Sequence, residues 1–369
     1  MHITGSDSAP ARVLITGGMG FIGSHLAEAL LAQGHPVTVI DDLSTGRFEN
    51  IRPLTQHADF RYVFANILTD GTLDRLAGEN DVIIHLAAAV GVRLIVENPL
   101  YTVENNIQGT EAVLKAALHH HNKVLLASTS EVYGKGSRIP FSEDDDTVLG
   151  PTSRSRWSYA ATKMVDEFMC LAYYHQKDVP VVIFRLFNTV GPRQAGQYGM
   201  VVPRFVQQAL QGEAITVYGD GQQSRCFLHV GDAVAAIIAL ANSPEAVGQV
   251  FNVGSSEEVT ILQLAQRVLH TVDALSGQAP TPPRVLDGGR ERIRFVPYNE
   301  AYGADFEDMR RRVPDTTKIR HLVGWQPTHT LSDILRDVVG DFVARGPGRV
   351  EATSPLTLRQ VAENAAGEC

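Results

Sequence analysis

The sequence predicts an α/β fold: a doubly wound parallel sheet joined to a smaller C-terminal α/β lobe. Short apolar runs alternate with helix-forming stretches from Arg12 to Leu186. One run, Asp81 to Ala89, is apolar almost throughout, as a parallel strand covered on both faces must be. The first run, Val13-Leu14-Ile15-Thr16, breaks at Gly17, Gly20 and Gly23 and resumes as helix formers. That order reads as strand, tight turn and helix.

Each element follows in chain order. The glycine spacing G-x-x-G-x-x-G allows a sharp turn, close approach of backbone to a pyrophosphate, and tight packing of helix on strand. The helix N-terminus then directs its N–H groups at the phosphates. Val37 to Ile40 forms a second strand ending at Asp41. An acidic side chain there bonds adenosine ribose hydroxyls and repels a 2′-phosphate, so the expected cofactor is NAD rather than NADP. Strands are expected over 60–65, 81–89, 124–127 and 181–186, and helices over 103–119 and 159–176. Small residues Ala87 and Ala88 let a flat cofactor pass close to the backbone. Past 186 the alternation weakens. Helices over 201–211, 231–242, 259–274 and 331–344 and strands over 215–218 and 249–253 are still legible. A long Pro/Gly-rich connection spans 276–297, and the tail after Gly346 carries no pattern.

A chain of 369 residues holds one large domain and a smaller lobe. Its net charge of −9 gives no electrostatic reason to bind nucleic acid or an anionic membrane. Cys170, Cys226 and Cys369 have no metal-type spacing, and His119, His120 and His121 read as a polar helix end, so no metal is expected. With no apolar leader and no run of membrane-spanning length, the expected compartment is the cytoplasm.

The chemistry hangs from strand ends. Ser128-Thr129-Ser130-Glu131 follows the fifth of the strand runs, 124–127, and Tyr159 and Lys163, spaced i, i+4, share one face of the next helix. A tyrosine titrates near pH 10 when free; a nearby ammonium and a positive nicotinamide ring favour its phenolate. Tyr159 is then the expected base toward a sugar hydroxyl, Thr129 or Ser130 its partner on the same oxygen, and Lys163 the anchor of the nicotinamide ribose.

These residues together resemble the extended short-chain dehydrogenase/reductase family, in particular its nucleotide-sugar epimerases, dehydratases and decarboxylases. The resemblance rests on Thr16-Gly17-Gly18-Met19-Gly20-Phe21-Ile22-Gly23, Asp41, His85-Leu86-Ala87-Ala88, Ser128 to Gly134, Tyr159-x-x-x-Lys163, Arg185 to Asn188 and Gly191-Pro192-Arg193. It implies a Rossmann domain over about 11–185 holding NAD, a nucleotide-sugar lobe over about 186–345 with some chain returning to the sheet, and a tail over 346–369. It further implies that Asn188 and Arg225 hold the diphosphate of a UDP-sugar, and that homodimers pair helices 103–119 and 159–176. The family usually has Asp before Ile at the adenine contact. Here Asn66 precedes Ile67, and its amide oxygen can accept the same bond.

Oxidation at sugar C4 opens three routes: epimerisation, dehydration or, from a C6 carboxylate, loss of CO2. Ser130 stands where dehydratases carry Asp, which disfavours dehydration. Gly191 to Gln194 and Tyr198 to Phe205 look like the 4-epimerases, with Arg193 gripping a uronate carboxylate. Thr129-Ser130-Glu131, the arginines just before Tyr159, and Arg312 look like the UDP-glucuronate decarboxylases. The first expectation is a UDP-hexose or UDP-hexuronate 4-epimerase, and the alternative is a UDP-glucuronate decarboxylase. A non-catalytic NAD-binding regulator would have lost Tyr159, Lys163 or Thr129, and all three are present.

Overall fold

A computed structural model describes residues 10–346, apart from 70, 92–94, 96–97, 197–199, 277–291 and 303–308. Most of the predicted 276–297 connection, the tail from 347 and Cys369 lie outside the described residues.

Strands β1 (Val13–Thr16), β2 (Val37–Asp41), β3 (Phe60–Phe64), β4 (Val82–His85), β5 (Lys123–Thr129) and β6 (Val181–Leu186) form a parallel sheet. Between them run α1 (Phe21–Ala32), α2 (Thr72–Gly78), α3 (Pro99–His120) and α4 (Ser158–Lys177). The chain then passes through β7 (Thr189–Val190), α5 (Val201–Leu210), β8 (Ile215–Tyr218), β9 (Ser224–Cys226), β10 (Leu228–His229) and α6 (Val230–Asn242). It returns to the sheet as β11 (Gln249–Val253), parallel to β6. The order across this seven-stranded sheet is β11-β6-β5-β4-β1-β2-β3. Two consecutive residues of β1 explain the continuous apolar runs. Val13 packs with α1 and α6 on one face, and Leu14 with α2, α3 and α4 on the other.

The lobe has its own core, where Phe205 of α5 meets Leu264 and Val268 of α7 (Ile261–Leu275) and Ile334 of α10 (Leu331–Arg345). Its strands are short: β8 pairs with β13 (Ile293–Val296), and β9 lies between β12 (Glu258–Thr260) and β14 (Arg311–Arg312). Small helices α8 (Tyr298–Tyr302) and α9 (Thr317–Val323) complete the chain. Capping boxes at Thr260/Gln263 and Thr330/Asp333 start α7 and α10.

Boundaries shift where local chemistry was stronger than periodicity. α3 starts at Pro99 rather than 103, since proline suits the first helical position. β4 stops at His85, and Leu86 to Ala88 leave the sheet. α2 was not foreseen at all.

Candidate active site

A single cleft runs along the C-terminal ends of the sheet strands into the lobe. At one end it is lined by Gly17, Gly20, Phe21, Ile22 and Asp41, and opposite them by Asn66, Ile67, Leu86, Ala87 and Ala88. Gly17 has φ +71°, and a Cβ there would sit 2.8 Å from Ala87 N. Nothing but glycine lets the turn lie this close to β4. No side chain caps α1 and no acidic residue occupies its first turn, so its N–H groups are left for an anion. Asp41 is buried, its oxygens accepting from Met19 N at 3.0 Å and Leu43 N at 2.8 Å. Burial pushes its carboxyl up to about 6, against those two N–H groups. Asn66 donates to Asp42 at 2.9 Å, and its Oδ1 accepts from Leu68 N at 2.8 Å, leaving that oxygen one further lone pair. A glycine turn, an uncapped helix start and a ribose-height carboxylate fit a dinucleotide.

The other end gathers charge from distant segments. Thr129 closes β5; its hydroxyl accepts from Glu131 N at 3.2 Å and is within hydrogen-bond reach of Tyr159. Ser130 lines the cleft, its Oγ buried with no partner among the described residues. Glu131 lies between two guanidiniums, 2.6 Å from Arg156 and 2.7 Å from Arg312. Burial alone would raise its carboxyl; Arg312 and Arg156 reverse this and hold it down at about 2. Arg312 reaches the cleft because β14 pairs with β9 in a register that sets it beside Arg225. Asn188, also lining the cleft, donates to Cys226 O at 2.9 Å.

Tyr159 and Lys163 are both buried at the cleft floor. The phenol is held above its ordinary value, by burial first and then by the charges of Glu131 and Asp166. Lys163 does not act on it alone, since its Nζ lies 3.2 Å from Asp166. The sequence expectation pairs the pull of Lys163 with that of a positive nicotinamide ring; in the protein itself that cation is shared with the Asp166 carboxylate.

Arg193 is the predicted substrate residue that the fold carries away from the cleft. Its guanidinium pairs with Glu28 of α1 at 2.6 Å, and its N–H donates to Asp341 of α10 at 3.1 Å. Two acidic neighbours capture it, while Gln194 and Ala195 beside it line the cleft. Conversely, Arg156 was passed over as a site residue. Its position three before Tyr159, one helical turn away, is the signal that would have found it. Far from the cleft, His119 and His120 both bond Asp74, at 3.0 and 3.2 Å, on an exposed surface. No described helix is long and apolar enough to cross a membrane.

Residues 14–338 match the family model described as GDP-mannose 4,6 dehydratase. The chain is 41% identical to a UDP-N-acetyl-α-D-glucosaminuronate decarboxylase of Bacillus cytotoxicus, over 90% of this chain and 97% of that protein. It is 37% identical to UDP-glucuronic acid decarboxylase 1 of Danio rerio, over 91% of this chain and 74% of that one. Among solved structures it resembles a UDP-glucuronic acid 4-epimerase of Bacillus cereus in complex with UDP-glucuronic acid and NAD. The TM-score is 0.76 at 29% identity, covering 89% of this chain and 98% of that one. The cleft, its charges and these relatives agree: the chain belongs to the GDP-mannose 4,6-dehydratase-like extended short-chain dehydrogenase/reductases, NAD-dependent enzymes that act as nucleotide-sugar epimerases, dehydratases and decarboxylases.

Proposed function

We propose that this enzyme decarboxylates a UDP-hexuronate through a 4-keto intermediate. One observation carries the reading: Glu131 lies in the cleft bridged by Arg156 and Arg312, while Arg193 is held outside it by Glu28. Arg156, Arg225 and Arg312 against one carboxylate make the sugar end cationic, which suits a diphosphate and a sugar carboxylate. The curated relatives named above as decarboxylases point the same way.

Tyr159, with Thr129 on the same oxygen, takes the proton of the sugar C4 hydroxyl. NAD, held by Gly17, Asp41 and Lys163, would supply the acceptor for the C4 hydride and the donor for its return. The resulting β-keto acid then breaks its C5–C6 bond. CO2 leaves, and the electron pair moves into a C4–C5 enolate. Tyr159 and Thr129 hold the enolate oxygen. Arg312 orients the carboxylate before it leaves, and Glu131, ionised between its arginines, keeps Arg312 in place. C5 then takes a proton. Asn188 and Arg225 hold the diphosphate, and Asp41 and Asn66 the adenosine.

The second reading is the 4-epimerase. It is supported by the likeness to the Bacillus cereus enzyme and by Gln194 and Met200 to Arg204, which line the cleft. NMR of the purified protein with UDP-glucuronate, without added cofactor, separates the two. A pentose product with CO2 supports decarboxylation; a six-carbon sugar inverted at C4 replaces it with epimerisation. We also infer a homodimer through α3 and α4, which expose Leu100, Tyr101, Val165 and Phe168. Sedimentation giving a monomer at micromolar concentration would remove it.

A further inference from the structure

The proton-transfer chemistry above leaves a buried carboxylate beside Lys163 unused. Asp166 is fully buried on α4, three residues beyond Lys163, with Oδ2 3.2 Å from Lys163 Nζ. Its neighbour Glu167 cannot take this part. Glu167 accepts from Arg185 at 2.9 and 2.7 Å and from the Ser128 hydroxyl. Asp166 faces Lys163, Glu167 and Cys170 on its own helix and Thr110 on α3. On β4, His85 lies near Lys163, and burial together with that charge pushes it down to about 3, so it is neutral. Tyr159 in turn faces Glu131, Asp166, Arg156 and Thr129.

We propose that Asp166 is a positioning residue that parks the Lys163 ammonium at the cleft floor and keeps the Tyr159 phenol protonated unless a second positive charge stands beside it. The inference rests on Tyr159 as proton acceptor, which decarboxylation and epimerisation share. A buried ammonium needs a buried counter-charge, and Asp166 stands one helical turn away; burial raises its carboxyl, and Lys163 and Thr110 draw it back toward the charged form. The same negative charge opposes the pull that a nearby ammonium exerts on a phenol; the Tyr159 phenol is raised by burial first, then by the charges of Glu131 and Asp166. A positive nicotinamide ring restores that pull. The base would thus form only beside a nicotinamide in its oxidised, positively charged form.

The test is the pH profile of kcat/KM on the UDP-hexuronate that the wild type turns over, for wild type, Asp166→Asn and Asp166→Ser. The two variants differ in size but both lack the charge. Each should move the acid limb to lower pH, by about one unit. An ultraviolet difference titration of the NAD-bound protein, with Tyr159→Phe subtracted, should move the same way without reference to turnover. An unmoved limb with rates reduced equally at every pH, or an unmoved titration, would make Asp166 a structural ion pair and overturn the proposal. A wild type inert toward every UDP-hexuronate would instead break the proposed function, and the titration alone would then decide the role of Asp166.

Discussion

The nucleotide end of the cleft comes largely from one short stretch of chain, Val13 to Asp41, while the sugar end comes from segments as far apart as Thr129, Arg225 and Arg312. The first is made of backbone: a glycine turn, an uncapped helix start and one carboxylate. The second is made of paired charges, each useful only where the fold sets it against another. Function at the first should fail through shape, and at the second through electrostatics.

Tyr159→Phe should give the largest effect, a loss of turnover of about a thousandfold or more, with NAD still retained through purification. Retained activity would remove Tyr159 from the base role. Glu131→Gln comes next. CO2 release should fall about a hundredfold while C4 oxidation persists, seen as a trapped keto sugar or reduced cofactor. This variant also has a sign in stability. The Glu131 carboxyl is lowered from 4.5 to about 2, so its contribution is fully present above about 4.5 and vanishes as pH falls through about 2. The variant should be less stable than wild type at pH 7 by roughly 3 kcal/mol at most, and the gap should close across that window in denaturant titrations.

Gly23→Ala probes shape. Its Cβ would meet Gly17 O and lie 2.7 Å from Gly18 Cα, so backbone must shift. The expected cost is about 1–3 kcal/mol, read as a lower Tm and a lower NAD content. Arg193→Ala should be the mildest. It loses an ion pair whose Glu28 side is 52% exposed, so turnover of the UDP-hexuronate should fall only a few-fold. A loss of about a hundredfold or more would return Arg193 to the substrate and favour the epimerase.

Much of this was legible in advance, and the pattern of what was not has a cause. The inner strands of the large sheet were readable because they are buried on both faces, so apolarity marks them directly, while edge strand β3 exposes Arg61. The lobe strands of two to four residues were mostly not, since β9 and β14 hold Arg225 and Arg312 and carry no apolar alternation. α2 was too short to show a period.

The sequence by itself determined the doubly wound sheet, the glycine turn with Asp41, and the Tyr159/Lys163 pair, because each depends on neighbours within a few residues or one helical turn. Tertiary structure alone decided which charges meet. It set Arg312 on Glu131 and beside Arg225 through a two-residue strand pairing, and sent Arg193 to Glu28. Ion pairs between distant segments have no sequence period. Their partners are fixed by register, packing and the exclusion of water, and those exist only once the chain is folded.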